Sequence, residues 1–185
     1  MIELKNITFR DYINLEDRSE FDFAIKYGLP FLKPENICAV DDFTQLEFGL
    51  IKDLQQDISQ GIMWDKLLEY MMIISGRDEK YFYSVSLIRM VRFKNFIVAE
   101  ISRIVDIENK VLAYEPTEDE VMAGIENLSV FGVYGQLRQL AITFHQPIEW
   151  ARKLKYEEAF VELVYQKRSN DFERALMEIR SKPTE

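Results

Sequence analysis

Residues 117–144 would be apolar on most of the circumference if they formed a helix. Thr117 and Glu120 have the spacing of a capping box, and Pro116 separates them from the preceding segment. The apolar positions that follow are Val121, Met122, Ile125, Leu128, Phe131, Val133, Tyr134, Leu137, Leu140, Ala141, Ile142 and Phe144. A helix that is apolar on nearly all sides belongs at the centre of a bundle. The pattern therefore predicts one central buried helix over residues 117–144.

Three glycines, Gly124, Gly132 and Gly135, fall on one flank of this predicted helix. Each glycine costs about 1 kcal/mol of helix propensity relative to alanine, so another backbone is expected to approach closely there. Packing glycines in a core helix are the leading interpretation. A kink or a contact between subunits is the alternative.

A second long pattern runs over residues 81–113 without glycine or proline. Its apolar positions recur at helical spacing, which predicts one helix of roughly 45 Å at about 1.5 Å per residue. Asn95 and Asn109 are the places where this helix is most easily broken.

The other helical patterns are shorter. Thr8 or Asp11 can cap a short helix near the start, and the segment from Gly28 to Pro34 breaks both helix and strand. Further helices are predicted over residues 43–58, 64–74, 148–154, 156–167 and 172–180. The sequence thus predicts an all-α, multi-helix bundle in a single domain, 1–185. It comprises an extended N-terminal arm (1–34), a helical body (35–180) and a frayed tail (181–185).

Composition agrees with a helical protein that does not enter membranes. The 7 glycines and 5 prolines are too few for turn-rich β architecture, and the formal charge of −9 disfavours binding of phosphates by the whole surface. The first residues lack the apolar core of a signal peptide, and the longest uncharged run, 127–137, is too short to span a bilayer. Because Cys38 is the only cysteine, no internal disulfide can form, which favours a reducing compartment.

Residues for catalysis or metal binding are scarce. His145 is the only histidine, and its place beside Pro147 is typical of a turn. A di-iron bundle needs two Glu-x-x-His pairs, and a structural zinc site needs four Cys or His ligands, so the sequence excludes both. Neither a phosphate-binding loop nor a calcium loop is present. We therefore predict a protein that is not an enzyme and has no cofactor or metal.

The long 81–113 pattern carries a row of basic residues on one flank. Arg89, Arg92 and Arg103 share that flank with Phe96, and Glu100 is the main acid near them. A solvated face is one interpretation. The other is an interface that meets an acidic neighbour or nucleic-acid phosphates. In a chain of charge −9, an acidic face of a like subunit is the easier partner.

Two stretches resemble small virion and tail-assembly proteins of tailed bacteriophages. Among these, they look most like proteins of the crAss-like phages. They are the opening segment, 1–13, and the C-terminal segment, 147–160, together with residues 171–176. The resemblance covers about 45 residues, so it implies a class of protein and no residue roles. Trp150 and Tyr156 lie in the C-terminal segment and are two further interface candidates.

The class implied by this resemblance is a helical assembly protein. The leading expectation is a virion protein made in the host cytoplasm, a ring-forming subunit of the head-to-tail connector (neck) at the portal vertex. Its partners would be like subunits and portal or tail proteins, with no membrane contact and with DNA contact not expected from the charge. A tail tape-measure assembly chaperone is the first alternative, and a small helical nucleic-acid-binding regulator is the second.

Overall fold

The computed structural model describes residues 7–19, 21–22, 25 and 42–181, and this part of the chain is all α-helical. It contains two 3-10 segments, Phe43–Gln45 and Ile125–Phe131, and no β-strand, since its two bridges are isolated. The α-helices are α1 (Phe9–Ile13), α2 (Phe48–Ser59), α3 (Trp64–Ser75), α4 (Glu79–Ser84), α5 (Leu87–Val111), α6 (Glu118–Met122), α7 (Gly132–Phe144), α8 (Ile148–Lys153) and α9 (Tyr156–Ser181). The predicted all-α multi-helix class is confirmed.

The chain divides into two compact units. The first takes in Met1–Phe43 and Leu54–Arg103, and the second takes in Thr44–Asp53 and Ile104–Glu185, as far as these ranges are described. Helices α2 and α5 therefore contribute residues to both units. A compact unit is not the same property as a cooperative folding unit, so the single domain over 1–185 stays a prediction.

The first unit is built around aromatic side chains that α1 shares with α3 and α4. Thr8 caps α1 in a reciprocal capping box with Asp11, as its residue type predicts. Phe9 and Tyr12 of α1 are both buried. The Phe9 ring lies 5.3 Å from that of Trp64 and 6.0 Å from that of Tyr83. The prediction of an extended N-terminal arm is therefore wrong for this segment, because α1 is helical and packed. Gly28–Pro34, Cys38 and the tail beyond residue 181 lie outside the described residues.

The predicted single helix over 81–113 is interrupted, and backbone pairing gives the physical reason. Phe9 N donates to Val85 O at 2.9 Å, and Leu87 N donates to Ile7 O at 2.8 Å. These bonds hold Val85 in an extended conformation (φ −78°, ψ 145°), so α4 ends at Ser84 and α5 begins at Leu87. A tertiary contact with the N-terminal segment thus overrides the local helical pattern. The sequence placed the break at Asn95 or Asn109 instead.

The predicted central helix over 117–144 is also wrong, both as one helix and as a buried element. Thr117 and Glu120 do form the predicted capping box, but α6 ends after Met122. Gly124 (φ 80°) begins a 3-10 segment, and Gly132 (φ 40°, ψ −122°) separates that segment from α7. Only Leu137, Leu140 and Ala141 of α7 are buried.

Gly124 and Gly132 act through a positive φ, Gly135 has an ordinary helical conformation, and no other backbone of the described residues approaches closely at Gly132 or Gly135. A β-carbon at Gly132 would have no neighbour within 4 Å among the described atoms, and one at Gly135 would meet only the Phe131 β-carbon at 4.0 Å. The close approach lies elsewhere in the second unit. A β-carbon at Gly49 of α2 would come within 3.0 Å of the Arg152 backbone oxygen and β-carbon.

A charged cluster joins three helical segments inside the second unit. The ammonium group of Lys52 lies 2.7 Å from Glu108 Oε1 and 2.8 Å from Oε2, and the side chain of Lys52 is only 4% exposed. The Tyr156 hydroxyl donates to the same Glu108 Oε1 at 2.8 Å. Burial lowers the pKa of Lys52, while the Glu108 carboxylate opposes that shift. Backbone bonds from Phe48 N to Leu154 O and from Tyr156 N to Leu46 O hold the same region together.

We predict that Glu108→Ala lowers the free energy of unfolding by about 3–5 kcal/mol, because it leaves the Lys52 ammonium buried without its counter-ion. Lys52→Met, Glu108→Leu and Tyr156→Phe combined remove the polar atoms together, so this control should lie within about 1–2 kcal/mol of the native chain. Urea unfolding followed by tryptophan fluorescence measures both. A cost below about 1 kcal/mol for Glu108→Ala would mean that the pair behaves as a solvated one.

Tyr12 gives a prediction about alkaline pH. Its hydroxyl donates to Asp22 at 2.6 Å, and burial together with this bond raises its pKa to about 12. Between about pH 10 and pH 12 the unfolded chain therefore loses a proton that the folded chain keeps, and stability falls as pH rises. Tyr12→Phe should make this fall shallower in urea unfolding across that window, whereas Tyr165→Phe, at an exposed position, should not. Equal slopes for the two variants would contradict the assignment.

Candidate protein-binding surface

Exposed apolar side chains are concentrated in the segment that the sequence placed in the core. Val130 is 85% exposed and Leu128 is 65% exposed, although both follow a run of apolar positions. We call the exposed large apolar residues of this segment the 128–144 surface: Leu128, Val130, Phe131, Tyr134, Ile142 and Phe144. Exposed Arg138 lies on α7 between Tyr134 and Ile142, four residues from each, so one guanidinium group interrupts the apolar side chains of this surface.

The local fold explains why these residues face outward. After the left-handed turn at Gly124, the 3-10 segment has three residues per turn and buries none of its side chains. The strained conformation at Gly132 then changes the direction of the chain, so that α7 buries only a narrow stripe of side chains, Leu137, Leu140 and Ala141. The Phe131 and Tyr134 rings lie 6.4 Å apart, and that of Phe144 lies 5.2 Å from that of Trp150. Breaks at two glycines therefore turn an apolar sequence into an apolar surface.

A polar cleft of about 450 Å³ lies between α7, α9 and the start of α6. Arg174 donates to the Tyr114 hydroxyl at 2.7 Å, and that hydroxyl donates to Glu120. The bond to Glu120 raises the pKa of Tyr114, and the same bond lowers the pKa of the Glu120 carboxyl. These contacts tie the capping box of α6 to α9.

Two amide oxygens near this cleft lack a donor within the described part of the chain. They are Oε1 of Gln136 on α7 and Oε1 of Gln166 on α9, and both are buried. Gln166 uses its nitrogen to donate to Thr143 and Glu162, each at 2.7 Å. Exchanging the amide oxygen and nitrogen of Gln166 leaves the side chain in the same position between Thr143 and Glu162. The cleft is lined by hydrogen-bonding and ion-paired side chains, among them Arg174 and the Lys167–Asp171 pair.

The six interface candidates from the sequence divide by exposure. Arg89 and Arg103 are exposed, but Arg103 is paired with Glu100 at 2.9 Å. Arg92 is half-buried, and its Nε has no acceptor among the described residues. Phe96 packs edge-on against Phe43 at 5.6 Å between ring centroids. The basic flank is therefore less available than its spacing predicts.

The two C-terminal candidates behave differently from each other. Trp150 is half-buried against Phe144 at the edge of the 128–144 surface. Tyr156 is buried and belongs to the cluster with Lys52 and Glu108, so its side chain is not presented at a surface. Sequence reasoning missed that cluster. Lys52 lies about 170° from the centre of the apolar stripe predicted for residues 43–58, so the helical pattern places it in solvent and offers no signal for the cluster.

Other kinds of site have little support in the described residues. His145 is exposed and ends α7 in a left-handed conformation (φ 53°). No group of three or more His, Cys, Asp or Glu residues within the described ranges is arranged to hold a metal ion. None of the helices in these ranges is long and apolar enough to cross a membrane. Comparisons with protein-family models, with curated proteins and with solved structures find no match for this chain.

Two glycine substitutions test whether the 128–144 surface is shaped by backbone conformation. Gly135→Ala should raise the free energy of unfolding by about 0.5–1 kcal/mol, because Gly135 is helical and has room for a β-carbon. Gly132→Ala should lower it by about 1–3 kcal/mol, because its positive φ is unfavourable for any other residue. Thermal and urea unfolding measure both. Equal losses at the two positions would restore the core-helix interpretation.

Proposed function

We propose that this chain is a non-enzymatic virion protein of a tailed bacteriophage, a ring-forming subunit of the head-to-tail connector at the portal vertex. The resemblance of the segments 1–13 and 147–160 to phage assembly proteins supports the class. The observation that carries the proposal is the 128–144 surface, since large apolar side chains that a chain leaves exposed are typical of surfaces that bind other proteins. The protein would be made in the host cytoplasm and retained in the particle.

The chemistry of this surface fits association with like subunits. Its members are apolar by definition, and the cores of homomeric interfaces are more apolar and poorer in charged residues than the rest of a protein surface. Covering apolar area contributes roughly 25 cal/mol per Å², and association is favoured where that gain exceeds the cost of lost translational and rotational freedom. A ring requires one surface of each copy to meet a different surface of the next. Arg89, exposed on α5, remains a candidate for a contact with an acidic face of a neighbouring copy.

The nucleic-acid alternative has weaker support. Arg103 is paired with Glu100, Arg92 is half-buried, and Lys94 lies over the Trp64 ring at 5.1 Å. Burial lowers the pKa of Lys94 as well. With a formal charge of −9, the chain would repel phosphates over most of its surface.

The decisive variant is Leu128→Glu combined with Val130→Glu. Both side chains are exposed, so folding should be preserved, whereas charges in an apolar interface should weaken self-association on the order of tenfold or more. Size-exclusion chromatography with light scattering measures the oligomer against concentration. The matched control is Met63→Glu with Ile73→Glu, two exposed apolar residues of the first unit, which should assemble as the native chain does.

A native chain that stays monomeric at every concentration would contradict the ring. So would unaltered assembly of the Leu128 and Val130 double variant. Mass spectrometry of purified particles from an infection then separates connector from chaperone, since a tape-measure chaperone is present in the infected cell but absent from the finished particle.

A further inference from the structure

The outward face of α9 carries apolar residues at the spacing of a coiled coil. Val161, Tyr165, Phe172 and Ile179 are each 66–68% exposed. We call the following set the α9 seam: Val161, Tyr165, Arg168, Phe172, Ala175 and Ile179. Successive members are separated by four, three, four, three and four residues, which is the a/d alternation of a heptad. All six are exposed, and five of the six are apolar.

The seam lies opposite the side of α9 that packs into the second unit. That inward side consists of Tyr156, Ala159 and Leu163, all buried. At 100° per residue, the seam is centred about 160° from the inward side. It extends for roughly 27 Å along the helix. Because α9 packs against the core through its inward side, the apolar residues of the seam make no core contact within the described part of the chain.

Charges beside the seam decide what kind of helix it accepts. The positions that flank a heptad seam hold Glu157, Glu162, Val164, Ser169, Asp171, Leu176 and Glu178. None of them is basic. Asp171 is already paired with Lys167 at 2.7 Å, which leaves three glutamates to act on a partner. Charges at these positions set the choice of partner in coiled coils.

A second copy of this chain is a poor occupant for the same reason. In a parallel pair, Glu157 of one copy would face Glu162 of the other, and the two Arg168 side chains would meet in the seam. In the antiparallel pair that aligns the whole seam, Arg168 would be buried against Phe172 of the other copy without an acid beside it, and the two Asp171 side chains would face each other. Like charges opposed at an interface disfavour that pairing.

We propose that the α9 seam binds one α-helix of a different protein, whose apolar seam is flanked by Lys or Arg. The partner would place a carboxylate or amide opposite Arg168, which otherwise interrupts the apolar row. Tyr165 also borders a groove of about 430 Å³ toward Gly135 and Ile142 of α7, which gives a bound helix a second wall. The seam adjoins the 128–144 surface here, because Ile142 belongs to that surface and lines the groove together with Arg138. This inference does not require the ring, because the six seam residues on α9 are a different set from the residues that carry the ring proposal.

The test uses the full chain and two synthetic helical peptides of about four heptads each. Both have Leu or Ile at the seam positions and one central Glu. The first has Lys at the flanking positions and the second has Glu. Fluorescence anisotropy measures binding. We expect the Lys-flanked peptide to bind, more tightly as salt is lowered, and the Glu-flanked peptide to remain free.

Variants locate the site. Tyr165→Glu with Phe172→Glu should weaken binding of the Lys-flanked peptide on the order of tenfold or more, while Met63→Glu with Ile73→Glu should leave it unchanged. Glu157→Lys with Glu178→Lys should shift the preference toward the Glu-flanked peptide. Circular dichroism and the thermal midpoint check that each variant is folded. Together the three variants separate a heptad contact at the seam from general adhesion to apolar surface.

Three results would overturn the proposal. The folded native chain could leave the Lys-flanked peptide unbound, or it could bind the two peptides equally well. Alternatively, the chain could self-associate in a way that Tyr165→Glu with Phe172→Glu abolishes, which would make a second copy the occupant. Self-association that depends on Leu128 and Val130 alone would leave this inference intact, so its failure and that of the ring are distinguishable.

Discussion

The second unit depends on keeping one ammonium group out of water. Lys52 is 4% exposed, and a buried charge of this kind is tolerated only with a counter-ion and hydrogen bonds in good geometry. Glu108 supplies the counter-ion, and Tyr156 donates to the same carboxylate. Since the three residues belong to α2, α5 and the first turn of α9, their contacts fix the rotation of α9 about its axis. That rotation turns Ala159 and Leu163 inward and leaves the α9 seam in solvent.

The same unit shows how an apolar sequence can fail to become a core. Burying a large apolar side chain contributes roughly 1.5–3 kcal/mol, so a chain that leaves Leu128, Val130 and Phe131 exposed forgoes substantial stability. Gly124 and Gly132 impose this outcome through left-handed and strained backbone conformations. A surface retained against the tendency to collapse is most simply explained by association, in which a neighbouring chain supplies the missing burial.

Local chemistry made part of the fold predictable. Thr117 was identified as a cap from residue type and spacing, and Thr8 was one of two candidates for the cap of α1. Helix α3 ends at Gly76, which has a left-handed conformation (φ 67°). Periodicity located α3 and α8 to within one residue at each end. These features depend on neighbours a few positions away, which a sequence displays directly.

Features that depend on distant parts of the chain were not predictable in the same way. The break at Val85 requires the backbone of Ile7 and Phe9, about eighty residues earlier. Helix α9 was predicted as two helices, 156–167 and 172–180, but it continues without a break to Ser181, and the Lys167–Asp171 pair spans the predicted gap. Residues 117–144 are as rich in apolar side chains as the sequence indicates. Periodicity does not distinguish a helix face that is buried within the chain from one that is exposed at its surface.

The two exposed surfaces differ in a way that bears on what each can recognise. The 128–144 surface is apolar except for Arg138 between its members, so burial of its side chains provides affinity but discriminates poorly between apolar partners. The α9 seam combines apolar residues with flanking glutamates and one arginine, and such charges exclude wrong partners more than they add affinity. A protein that binds both like copies and a different partner needs both properties. Ile142 of the 128–144 surface and Tyr165 of the α9 seam line the same groove, so partners that cover the two surfaces would be neighbours.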